Sequence, residues 1–339
     1  MTEILSQLSG VPHEQFIPIP IWLWIAFIGA ILSFLALDLG VFHRKGHVVS
    51  VKEAMCWTAL WFTLAMAFAL GMRQWDQLFG EESAKEFIAG YIIELSLSMD
   101  NVFVIALIFA YFKVPAQFQH RVLFWGITGA LVMRGVMIGV GAAVVSEYMW
   151  VLYIFGAFLL FTGIKMLFTH DEGVEPEKNP MVKLARKFFP VSPSFEGDKF
   201  FTTLNGARAI TPLALVLVMV ETTDLIFAVD SIPAIFAITQ EPFVVFTSNV
   251  FAILGLRSLY FALAGAIQYF RYLKYGLALV LVFVGVKMLI DPHTDTPQWY
   301  QAKLSTSLSL GIVVSILATA ALISVAAARR EAKEKSVVK

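Results

Sequence analysis

The chain has 339 residues, 58% of them hydrophobic and only 15% charged, with a mean hydropathy of +0.76. A soluble domain carries about a quarter charged residues, so the composition excludes an ordinary soluble protein, and the 30 Phe and 8 Trp suit apolar interiors and bilayer interfaces. Lys plus Arg and Asp plus Glu balance at 25 each, which gives no reason to expect a nucleic-acid partner, and a single cysteine, Cys56, excludes an internal disulfide or a cysteine metal cluster.

In chain order, Met1 to Pro20 has no Lys or Arg and no short apolar run ahead of a small-residue cleavage site. Residues 1–19 therefore read as an extracytoplasmic N-terminus and not as a cleaved signal peptide. A membrane-spanning helix needs about 20 mostly apolar residues. Nine segments qualify, at 20–42, 54–72, 87–111, 122–146, 149–168, 212–238, 243–269, 273–290 and 305–328. They form one transmembrane domain over 20–328, interrupted by a charged, Pro-containing loop at 169–211 and followed by a basic tail at 329–339. Eighteen Lys and Arg fall in the connections on one side, the tail included, against Arg73, Lys85 and Lys303 on the other. The positive-inside rule then places the N-terminus outside and the tail in the cytoplasm, as expected for the cell inner (plasma) membrane.

The chain repeats itself. Ser98-Met99-Asp100-Asn101-Val102-Phe103 in the third span aligns with Thr222-Thr223-Asp224-Leu225-Ile226-Phe227 in the sixth. Arg134 aligns with Arg257, and Gly163 to Leu167 aligns with Gly285 to Leu289, the offset drifting only from 124 to 122. Each copy holds three spans, an odd number, so the second copy enters the membrane from the opposite side. The expected fold is an all-α membrane protein of about nine transmembrane helices with a 3+3 inverted repeat (87–168 and 212–290). Such repeats hold their substrate sites near the bilayer midplane.

Five carboxylates, Glu94, Asp100, Glu221, Asp224 and Asp230, lie inside apolar spans. An ionised side chain at the bilayer centre costs at least about 2.5–3.5 kcal/mol on insertion scales, so these groups are expected to face inward. At 100° per residue, Glu94, Ser98 and Asn101 share one stripe, with Asp100 at its edge, and Glu221 and Asp224 share a face. Carboxylate, amide and hydroxyl oxygens together make a hard-donor set suited to Mg, Ca or Mn. Asp230 is half a turn out of phase with Glu221. Either Pro233 breaks the helix there and makes Asp230 a ligand, or Asp230 pairs with an arginine. Arg134 and Arg257 stand near mid-membrane and are expected to pair with some of the acids.

Other features carry less. The histidines (His13, His43, His47, His120, His170 and His293) fall in loops or at membrane edges, which argues against a soft-metal site. Met99 and Met219 read as packing, and Asp38 reads as an interface residue. Asn249 is a candidate polar contributor, and Lys165 and Lys287 read as snorkelling side chains. No phosphate-binding Gly-rich loop is present to drive transport with ATP.

Asp38-Leu-Gly-Val-Phe-His43, the Glu94–Asn101 stretch, the run from Glu221 through Asp230 to Ala234, and Ser248 through Arg257 resemble the TerC/Alx family of integral membrane proteins, from the first span to the eighth. The resemblance implies membership of the LysE-like transporter superfamily and a role in exporting Mn2+. The family name derives from tellurite resistance, a phenotype, and some relatives are linked to metal loading of secreted enzymes or to thylakoid biogenesis. The family's acidic positions fall here on Glu94, Asp100, Glu221, Asp224 and Asp230.

The expectation is a secondary exporter with no enzymatic activity and no cofactor beyond the transported Mn2+, working in the lipid bilayer with proton counter-transport. Glu94, Asp100, Asn101, Glu221, Asp224 and Asp230 would hold the metal, with Ser98, Arg134, Asn249 and Arg257 in support. Two rivals are a transporter of another solute, such as a basic amino acid, and a membrane scaffold or metal-delivery factor with protein partners in secretion.

Overall fold

The computed structural model describes residues 19–37, 50–168, 179–204, 206–263, 273–291 and 304–337. Its helices are α1 (Ile21–Leu37), α2 (Val51–Gln74), α3 (Gly80–Tyr111), α4 (Ala116–Glu147), α5 (Val151–Phe168), α6 (Pro180–Phe188), α7 (Pro212–Phe236), α8 (Pro242–Leu263), α9 (Leu273–Ile290) and α10 (Thr306–Val337). One antiparallel hairpin, β1 (Phe201–Leu204) and β2 (Ala207–Ile210), completes the described structure. Eight helices are long and apolar enough to cross a membrane, and α1 is a shorter apolar helix. Every expected span thus falls on a helix, and the chain is an all-α membrane protein. Asp38, the tail's last two residues and all histidines but His120 lie outside the described residues.

The boundaries follow local chemistry. Ser50 Oγ accepts from the Glu53 amide at 3.2 Å to cap α2, and Asn179 Oδ1 accepts from Met181 and Val182 to cap α6. Pro212 and Pro242 open α7 and α8 where no amide donor is needed. α3 starts at Gly80, seven residues before the expected span, because its first turns carry Glu81, Glu82 and Lys85, with Lys85 3.0 Å from Glu81. With 32 residues each, α3 and α4 are about 48 Å long and outrun a hydrocarbon core of about 30 Å.

The stretch expected outside the membrane folds, within its described part, into α6 and the hairpin. Val182 of α6 is fully buried against Ile210 and Leu213, which ties this unit to the start of α7. The tight turn between the strands puts Gly206 at φ +81°, a conformation that glycine alone adopts without cost.

α8 is the most enclosed helix, with nearly its whole length buried between α2, α3 and α4. α1 and α2 flank one side through an aromatic cluster that includes Phe27, Trp61, Phe87 and Phe251. α10 lies against α9 and α3.

Two crossings organise the middle of the bundle. In the first, α5 and α9 run antiparallel, and a Cβ on Gly156 would come 3.1 Å from the Gly285 carbonyl, while one on Gly163 would come 2.8 Å from the Ala278 carbonyl. In the second, α3 and α7 also run antiparallel: Asn101 meets Asp224, and Gly90 lies against Ile235. α4 runs parallel to α7, with Gly126 at Val220 and Gly141 at Phe236. α7 itself continues unbroken through Pro233, so the broken helix that proline can cause is not found here.

Candidate cation site

The α3–α7 crossing brings polar side chains to one buried point, and α4 supplies the group that joins them. Arg134 is 1% exposed. Its Nε donates to Asp224 Oδ2 at 3.1 Å and its Nη2 to Asp224 Oδ1 at 2.8 Å, a two-pronged grip on one carboxylate. Its Nη1 donates to Glu94 Oε1 and, at 3.2 Å, to Ser231 Oγ. One guanidinium therefore bridges acids from two helices that run in opposite directions. Asn101 Nδ2 reaches Asp224 Oδ1 at 3.5 Å.

Around this bridge several oxygens lack a hydrogen-bond partner among the described residues. They are Glu94 Oε2, Ser98 Oγ and Asn101 Oδ1, all buried. Buried polar atoms are nearly always paired, so three on one helix stripe point to a group that would satisfy them. Carboxylate, hydroxyl and amide oxygens are what a hard divalent cation takes.

Glu221 sits one turn before Asp224 and turns toward α4, where its Oε1 lies only 2.0 Å from the place a Cβ on Gly129 would occupy. Glycine at 129 is what admits that carboxylate. Glu221 has no hydrogen bond or ion pair among the described residues. Beside Asn101 and Asp224 runs a narrow, partly open cleft lined by Leu123, Gly126, Ala130, Val220 and Leu256. It approaches the cluster from the end of the bundle that carries the α6–hairpin unit. At the opposite end, Ile93, Ile138, Ile232 and Phe236 pack into an apolar plug.

The expected residues divide into three groups. Glu94, Ser98, Asn101, Asp224 and Arg134 come together, and Glu221 stands next to them. The Arg134 bridge itself is built without Asp100, half-buried on α3, and without Arg257 on α8. Asn249 is buried, with neither amide atom hydrogen-bonded among the described residues.

Asp230 requires correction. It is neither at the cluster nor beside an arginine, but faces α5, where Thr162 and Lys165 are its polar neighbours. The expected convergence of all the carboxylates is not found either. Among the described residues, no three His, Cys, Asp or Glu side chains lie within reach of one metal ion. Two acids meet, and the other donors are the Asn101 amide and the Ser98 hydroxyl.

Lys287 is corrected as well. It is 5% exposed and does not snorkel; its Nζ donates to the Ala237 carbonyl at 2.9 Å, at the C-terminal end of α7. Sequence reasoning missed Ser231, although it stands seven residues after Asp224 and so on the same face. It missed Gly129 too, for which the only signal was a small residue one turn and a half before a buried arginine.

These features define a polytopic membrane protein with an ionic cluster held between its helices. The chain belongs to the integral membrane protein TerC family, whose sequence profile matches residues 79–332. It is 50% identical over 296 residues to the membrane protein STKORF319 of Myxococcus xanthus, covering 87% of this chain and 92% of that one. To Alx of Escherichia coli K12, whose name proposes a membrane-bound redox modulator, it is 44% identical over 301 residues, or 87% and 91% of the two chains. A membrane protein of Rickettsia bellii is 41% identical over 295 residues, 87% and 97% of the chains. No solved structure matches the chain.

Proposed function

We propose that this protein is a secondary transporter that exports a divalent cation, Mn2+ before others, across the cell inner membrane in exchange for protons. The observation that carries this reading is the meeting of Glu94 and Asp224 at one buried point, with the free oxygens of Glu94, Ser98 and Asn101 beside it. Glu94, Asp224 and Glu221 against Arg134 leave two formal negative charges, which a single dication balances. The donors are all oxygen, which suits Mn2+, Mg2+ and Ca2+ alike; the choice of Mn2+ rests on the family resemblance.

The packing supports an inverted repeat. Exchanging the triplets α3–α5 and α7–α9 by the 122-residue offset of their Gly-X-Lys-Met-Leu motifs turns the Gly163–Ala278 contact into the Gly285–Gly156 contact. Two antiparallel helices related in this way need an axis lying in the membrane plane. In this reading the repeat equivalents Asp100 and Asp224 lie at about one level near that axis, since Asn101 meets Asp224. With the basic connections in the cytoplasm, the cleft beside Asp224 opens inward and the apolar plug closes the outer side. A carboxylate released by the metal takes up the returning proton, and Glu221, which has no cationic partner among the described residues, suits that role.

Mn2+ flux in proteoliposomes tests the reading. Asp224→Asn and Glu94→Gln are expected to slow the initial rate by about 10–100-fold, the loss seen when groups that support a metal site are removed. Asp230→Asn is expected to change it little. Flux at the wild-type rate in Asp224→Asn would refute the site, and a wild-type protein that moves no dication while folded would favour the scaffold reading.

A further inference from the structure

We propose that Arg134 is a tethered stand-in for the transported cation: its guanidinium binds the same carboxylates as the dication and must yield them when the dication arrives. The inference rests on the transport reading and adds how the site changes between its loaded and unloaded forms.

The geometry argues for competition and against simple neighbourliness. The guanidinium is centred between Asp224 and Glu94, and it takes both oxygens of Asp224 and one of Glu94. A dication bound by both acids needs those same lone pairs. α3 and α7 bring seven side-chain oxygens here, and Arg134 engages four: both of Asp224, one of Glu94 and that of Ser231. The three left on α3, Glu94 Oε2, Ser98 Oγ and Asn101 Oδ1, form an incomplete shell. Divalent Mn or Ca takes about six or more oxygens, so Asp224 must be released from the guanidinium for the shell to close.

The arrangement also has a use. Two buried carboxylates with no counter-charge are costly in a bilayer, and a carrier returning without its ion would have to bring them through that condition. Arg134 covers Glu94 and Asp224 during the return, and two protons, one of them on Glu221, then balance the remaining charge in place of the dication. The cluster's hydrogen bonds to Ser231 and Asn101 hold both arms at the ready without neutralising either acid. Arg134 is thus a positioning and gating residue, a charge that travels with the protein instead of with the solution.

The test compares full-length wild-type protein with Arg134→Gln and Arg134→Lys in nanodiscs and proteoliposomes. If Arg134 competes with the ion, Arg134→Gln should bind Mn2+ about tenfold more tightly, within the 5–150-fold range of coupled sites. Free guanidinium ion should then displace Mn2+ from that variant and leave the wild type unaffected. Mn2+/Mn2+ exchange should persist in Arg134→Gln while net efflux falls by a similar factor, because only net efflux needs the unloaded return. Arg134→Lys, which keeps the charge but can grip one oxygen at a time, should bind more tightly than wild type by a smaller factor, and it keeps the question answerable if the Gln variant does not fold. Binding that is unchanged or weaker in whichever variant folds overturns the proposal and leaves the metal site standing, as does a parallel fall of exchange and net efflux. If neither wild type nor variants bind Mn2+, the transport reading falls and takes this one with it.

Discussion

The two antiparallel crossings at the centre of the molecule have opposite chemistries. α5 and α9 meet through glycines so closely that backbone touches backbone: a Cβ on Gly285 would lie 2.6 Å from the Leu160 amide nitrogen and 2.8 Å from the Gly156 carbonyl. α3 and α7 meet through long polar side chains, with the Arg134 guanidinium of a third helix inserted as the link. Without a hydrophobic force between helices in lipid, small residues and interhelical hydrogen bonds are the two available adhesives, and this protein uses one at each crossing. The glycine joint has a single arrangement, because interpenetrating backbones have no rotamers. The arginine joint shows one arrangement here, but its contacts are hydrogen bonds that can be exchanged for others. Rigidity and adjustability are thereby separated within one bundle.

The largest effect expected from disturbing this contrast is at the polar crossing. Arg134→Gln removes the one cationic partner that a buried carboxylate pair has among the described residues and should cost about 3–5 kcal/mol, read as a lowered melting temperature in detergent that added Mn2+ partly restores. Next is the glycine joint, where Gly285→Ala forces a methyl group into backbone. It should cost toward the upper end of about 1–3 kcal/mol, with no recovery on adding metal. That difference in rescue is the sharpest separation of the two crossings: if Mn2+ restores both variants equally, the distinction between a joint and a site is wrong.

Smaller still, Lys287→Met deletes the bond to the Ala237 carbonyl that ties α9 to the end of α7 and should cost about 1.5 kcal/mol without altering Mn2+ affinity. The smallest effect concerns Glu241, between α7 and α8. Burial raises its carboxyl pKa above the ordinary value, partly offset by the bond it accepts from the Phe243 amide. A raised carboxyl favours the protonated form in the folded state, so its contribution is most favourable below the unfolded pKa of about 4.3 and is lost as pH rises through the folded value. Glu241→Gln, which keeps the acceptor, should therefore melt slightly higher than wild type at neutral pH and coincide with it near pH 4.

Much of this was readable from residues alone, and what was not has a physical reason. The spans followed from length and apolarity, and the helices outrun them most at the starts of α3 and α4 and at the end of α10, where charged or polar turns hide helix from a hydropathy scan. The Glu94–Ser98–Asn101 stripe was visible as helical phase, since spacing within one helix is fixed by its pitch. Which acid Arg134 would hold was not visible, because that depends on how α4 lies against α7, and the Gly126 and Gly141 approaches set it. Asp230 shows the same limit from the other side. Its phase pointed away from Glu221, and the structure keeps that phase, sending it to Thr162 and Lys165. Assigning it to the metal depended on a helix break at Pro233 that α7 does not have. Lys287 was misjudged because nearness to a helix end was read as nearness to water, whereas the end of α7 and the start of α10 cover it.

The opposed directions of α3 and α7 have a mechanical consequence. Sliding one along the other would carry Glu94 and Asp224 apart, whereas a rocking motion pivoted at the level of Asp224 leaves them at the fulcrum, nearly still. Phe236, twelve residues further along α7, is about 18 Å away at helical rise, so a tilt of a few degrees that barely stretches the central bonds moves it by an ångström or more. The place where the acids meet is the one point in the bundle where large displacement at the rims and constant geometry at the centre can coexist.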